Sequence, residues 1–183
     1  MPCALAIRPT SAAGRPAHRL SAQEHIRQFR SQASPPAFRL ATLLAAVPAH
    51  LDVAQLIRQR FVPEAGIEHL AELLLGGLLY RARPDGRESA RDTFVFPEAV
   101  RELLLSGARR SETAGVVRAA AAEFSERIPV LGHLRNAIDD PHNTPDPPTS
   151  ADPADVELES AVMKALSGPY LSRADRLRNA ALH

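Results

Sequence analysis

His69 and Glu72 stand three residues apart in a segment of helical periodicity, a spacing that sets two ligating side chains on one helix face. Such a pair is half of a metal site. Transition metals need three or four convergent ligands, and neither a second His/Glu pair nor a cysteine cluster accompanies this one. Solvated or capping roles are the ordinary reading, and no metal or other cofactor is expected. Arg58, Arg60, Arg81, Arg83, Arg87 and Arg91 would put cations on one helix and a neighbouring hairpin, where they could grip a phosphate backbone. Glu64, Glu68, Asp85, Glu88 and Asp92 are interspersed among them and would repel it. The acidic pairs Glu98/Glu102 and Glu123/Glu126 suit the wet sides of amphipathic helices better than acid–base work. Gly76-Gly77 follows a helix and lacks the lysine and hydroxyl of a phosphate-binding loop, so it reads as a helix end brought close to the core. With no Gly-x-Ser-x-Gly elbow, nucleophilic hydrolysis has no visible machinery, and the chain is not expected to be an enzyme.

Composition sets the frame for these residues. A length of 183 residues suits one domain with tails and a real hydrophobic core. Cys3 is the only cysteine, which excludes a disulfide framework and a thiolate metal site and fits a reducing, cytoplasmic setting. The longest apolar stretch, Leu70 to Leu79, is too short to span a membrane and carries Glu72. A net charge of +1 gives no general drive toward nucleic acid.

The elements that must position the candidates follow from capping and periodicity. Residues 1–20, with three prolines and no period, read as a disordered leader whose start could be misassigned. Ser21 with Glu24 makes a capping box for a first helix ending near Ala33, and Ser34 with Pro35 opens a second whose stripe is Leu40, Leu43, Leu44 and Val47. Asp52 is placed to cap a third, with Val53, Leu56, Ile57 and Phe61 facing inward. Ile67, Leu70, Ala71, Leu74 and Leu78 predict a fourth helix, with Leu73 and Leu75 projecting elsewhere. A helix apolar on more than one side must be covered on more than one side, by core or by partner. Leu78–Ala82 and Thr93–Phe96 bracket Pro84-Asp85-Gly86 and predict a wing-like hairpin. Pro97 to Gly107 predicts a further helix, and Ser111 should cap a long one ending at Pro129. The expected divisions are a module over 21–138, a Pro/Asp-rich linker over 139–155 and a helical tail over 156–183.

The fold class predicted is mostly α: a winged-helix-like domain, between about residues 35 and 107, with one small antiparallel β-hairpin. The helix in the recognition position offers Glu68, His69 and Glu72 amid leucines, where a DNA reader exposes Arg, Asn, Gln, Ser or Thr. The surface that the sequence nominates for interaction is therefore Arg58, Arg60, Glu68, His69, Glu72, Arg81 and Arg83.

Phe29 to Pro35, Arg39-Leu40-Ala41, Val62-Pro63-Glu64, His69 to Leu79, Phe94-Val95-Phe96 and Val100 to Leu105 together resemble a module of actinobacterial and cyanobacterial multidomain proteins. The resemblance spans roughly residues 21 to 138. In that family the module lies C-terminal to a larger signalling part, such as a signal-transduction P-loop ATPase-like, formylglycine-generating-enzyme-like or peptidase-like domain, in signalling or conflict systems. The resemblance implies a protein partner bearing an NTPase or peptidase. No such region precedes the module here, so the chain reads as a fragment, a standalone partner or a degraded copy. A DNA-binding regulator is the alternative that the helix and hairpin order permits.

Overall fold

The computed structural model describes residues 21–81, 93–148 and 150–181. The expected leader and the Pro84-Asp85-Gly86 tip lie outside them. The fold is mostly α with a small antiparallel sheet.

Local chemistry sets the first two helices. In α1 (Ala22–Gln32) the Ser21 hydroxyl accepts the Glu24 N–H, and the Glu24 carboxylate accepts the Ser21 N–H at 2.7 Å, closing the predicted capping box. In α2 (Pro35–Leu44) Ser34 caps the Ala37 N–H, and Pro35 occupies the first helical position. Leu40, Ala41, Leu43 and Leu44 are buried.

A strand absent from the sequence reading comes next. β1 (Ala49–His50) pairs antiparallel with β3 (Thr93–Val95), which also pairs with β2 (Tyr80–Arg81), giving the order β1-β3-β2. Two residues are too few for period-2 alternation to reveal a strand. The pairing also moves a helix cap. His50 is extended at φ −79° and ψ 147°, so α3 (Leu51–Phe61) starts directly after it, and His50, not Asp52, is the cap residue. Asp52 falls in the first turn, where a carboxylate still meets the positive end of the helix, and it pairs with Arg127 at 3.2 Å.

α4 (Ile67–Leu75) ends at Gly76, and Gly77 turns the chain at φ 79° into β2. A Cβ at Gly76 would collide with the Phe29 ring and the Glu72 carbonyl, the close approach expected of this glycine pair. From β3 the chain enters α5 (Glu98–Ser106) and α6 (Arg110–Phe124). α6 begins two residues earlier than a Ser111 cap would allow, with Arg109 extended ahead of it.

Pro129 does not merely stop a helix. It is the first residue of α7 (Pro129–Asp139), which the sequence reading lacked and which buries Leu131, Leu134, Ala137 and Ile138. α8 (Pro153–Leu166) packs on α5, α6 and α7, and α9 (Leu171–Ala181) packs on α8. Leu158, Ala161, Val162, Met163 and Leu166 of α8 belong to the same core as α2, α4 and α6, so the expected tail is a structural part of the domain. The connection from α7 to α8, expected as a linker, has neither helix nor strand among its described residues, yet side chains bind its backbone. Composition counts the apolar surface a segment can bury and misses bonds of this kind.

Candidate protein-interaction face

Among the described nominated residues, Arg58, His69 and Glu72 are each engaged in hydrogen bonds within the chain. Arg58 is half-buried at the end of α3, and its Nη1 donates to the Ala65 carbonyl at 2.9 Å, closing the turn into α4. Its Nε is buried without a hydrogen-bond partner among the described residues. Arg60 and Arg81 are exposed, whereas Arg83 lies outside the described residues.

His69 is also committed locally. Its Nδ1 lies 2.9 Å from the Gly66 N–H and 3.2 Å from a Glu68 carboxylate oxygen. A backbone amide can only donate, so Nδ1 serves as its acceptor and covers an orphan donor of the first turn, while the exposed Glu68 is at liberty to turn to water. Glu72 faces the other way. It accepts the Ser34 N–H and the Ser34 hydroxyl, each at 2.8 Å, and these two bonds hold its carboxyl below the usual range. His69 and Glu72 thus share a helix without converging, and no group of three or more His, Cys, Asp and Glu side chains among the described residues is placed to hold a metal ion.

Beside the exposed Glu68, α4 presents an apolar stripe outward. Ile67, 63% exposed, and Leu75, 86% exposed, flank the exposed Ala71 at i, i+4 and i+8, a single stripe along the helix. Leu70 and Leu73 face the core, and Leu74 is half-buried against it. Ile67, expected inward, sits in the outer stripe, and Leu73 takes the core position expected of Leu74. Tyr80 of β2 is also exposed, at 52%. The run of leucines carried the signal for this face, but polar residue types drew the nomination elsewhere.

Two buried arginines went unforeseen. Arg101 of α5 donates to the Ala45 carbonyl at 2.8 Å, at the C-terminal end of α2, and lies 5.4 Å over the Phe96 ring. Burial lowers its pKa to about 10. Asp155 of α8 is raised to about 6 by its own burial and by Asp152, against the opposing pull of Arg101. Arg173 of α9 is fully buried: Nε donates to Glu159 at 2.6 Å, Nη1 to the Thr144 carbonyl at 2.6 Å, and Nη2 to the Pro145 carbonyl at 2.9 Å. His133 Nε2 stands 3.2 Å from both Arg173 Nη2 and Glu159 Oε2. Every nitrogen of that guanidinium has a partner, which marks it as a clamp rather than a reactive centre.

No family model, curated protein or solved structure matches this chain. No helix among the described residues is long and apolar enough to cross a membrane.

Proposed function

We propose that the chain is a non-catalytic, winged-helix-like interaction module that docks on a protein partner through the outer face of α4. The observation that carries this reading is the Ile67, Ala71 and Leu75 stripe on the helix that lies between α3 and the hairpin. Three small or apolar side chains in register offer a helix or sheet of a partner a surface to desolvate, and they offer a base edge no hydrogen bond. The resemblance noted above supplies the class of partner: a signalling or conflict-system protein carrying an NTPase or peptidase domain.

The helix, strand, helix, helix, hairpin order from α2 to β3 also supports a second reading, a DNA-binding regulator. Arg60 and Arg81 could then meet phosphate. The chemistry of α4 favours the first reading, because its solvent face carries no Arg, Lys, Asn, Gln, Ser or Thr and its one exposed charge, Glu68, would repel phosphate.

Size-exclusion chromatography of the full chain with an NTPase- or peptidase-bearing protein encoded beside it tests the proposal. Co-elution that Leu75→Asp and Ile67→Asp abolish, with unchanged melting temperatures, is the expected result. Steeply salt-dependent binding to promoter DNA with no protein complex would replace it by the second reading.

A further inference from the structure

The joint between α8 and α9 is strained. Ser167 adopts φ 60° and ψ −171°, and Gly168 follows at φ 60°. The first value lies in a region that L-residues rarely enter, and Ser167 is the only non-glycine with positive φ among the described residues. Pro169 adds a constraint of its own, since a residue before proline is biased toward extended backbone.

What holds α9 back is largely polar. Of its described side chains only Arg173, Ala174 and Leu177 are buried. Arg173 enters the socket of Glu159, His133, Thr144 and Pro145 described above, with Asp146 at 3.4 Å from its Nη1. Ser160 donates to the Ala174 carbonyl at 3.3 Å, Arg176 pairs with Asp146 at 3.1 Å, and Arg178 with Glu102 at 3.3 Å. Such directional contacts specify their partner closely, and a second copy of this chain offers the identical set.

We propose that α9 is an exchangeable arm: two copies form a dimer in which each α9 seats Arg173 in the Glu159 socket of the other. The hinge opens at Ser167 to Tyr170, Ser167 leaves the left-handed region, and every α9 contact just named is remade between chains. The occupant is a second copy because the socket is already complementary to α9, and because a short hinge under strain favours exchange of the element it joins. This arrangement involves none of the α4 residues, so its failure would leave the docking proposal intact.

The test uses the full-length chain, unfolded in guanidinium and refolded at high concentration, then sized by chromatography with light scattering. A dimer fraction that grows with concentration is expected, and Ser167→Gly should reduce it about tenfold by removing the strain in the closed hinge. Glu159→Gln and Arg173→Met are then refolded together and weighed by native mass spectrometry. Exchange restores one native Glu159–Arg173 pair only in the mixed dimer, so mixed dimers should exceed the statistical half. A chain that stays monomeric at every concentration, a Ser167→Gly chain that dimerises as well as the parent, or mixed dimers at the statistical proportion would each overturn the proposal.

Discussion

Glu72 of α4 caps Ser34 at the start of α2, accepting both its N–H and its hydroxyl at 2.8 Å. The same hydroxyl accepts the Ala37 N–H, so one serine closes its own helix and binds a second one to it. A helix cap has become a tertiary joint. The outer face of α4 keeps its orientation because the inner end of the helix is tied in this way.

Ser34→Ala should therefore destabilise the fold by about 1–2 kcal/mol, the upper part of the range for a lost N-cap. Glu72→Gln should show a pH signature. The carboxyl of Glu72 is held below its ordinary value in the fold, so its stabilisation is present above that ordinary value and fades as pH falls through the lowered one. Denaturation midpoints of parent and Glu72→Gln should differ at neutral pH and converge in acid.

Leu73→Ala should cost about 2–5 kcal/mol, because its side chain is fully buried. Leu75→Ala, only two residues on, should leave the thermal melt within experimental scatter while weakening partner binding. Leu74→Ala should fall between the two, as befits a half-buried side chain.

Gly76→Ala should destabilise by roughly 1–3 kcal/mol, since the new methyl group meets the Phe29 ring and the Glu72 carbonyl. The backbone carbonyl cannot retreat as a side chain could. Phe29→Leu in the same chain should recover only part of the loss, and chemical denaturation of the single and double variants measures the coupling.

Asp155→Asn should stabilise the chain in mildly alkaline buffer, by about 1 kcal/mol once solvent screening is allowed for. The sign follows from a folded pKa of about 6 against the ordinary aspartate value of 3.8. Burying the charge costs stability that is lost fully above the higher value and not at all below the lower one. The gain should accordingly disappear below about pH 4, and a series of urea midpoints across that range checks it.

Arg58 and Asp52 show where the sequence could and could not be read. Helix existence was legible wherever a stripe met a cap, as at Ser21 with Glu24 and at Ser34 with Pro35. The start of α3 was not, because it is dictated by β1 pairing with a strand far along the chain. Arg58 looked like a surface cation, yet its guanidinium bonds the Ala65 carbonyl, a partner that no spacing rule announces. Arg173 is the extreme case: a polar residue in a polar helix, buried because three separate segments converge on it. The apolar excess of α4 was visible, but its division into Leu73 inward and Leu75 outward depends on how the helix is rotated, which the Glu72–Ser34 joint helps to fix.

The central place of β3 also bears on covalent continuity. Because Phe94 pairs with Ala49 on one side and with Arg81 on the other, β3 is held by a strand that precedes α3 as well as by its neighbour in the hairpin. The half of the chain before Arg81 and the half after Thr93 also share one hydrophobic core. A peptide bond cut between those two residues would thus leave two pieces joined by sheet and core together, and the pair could be expressed as separate polypeptides that reassemble.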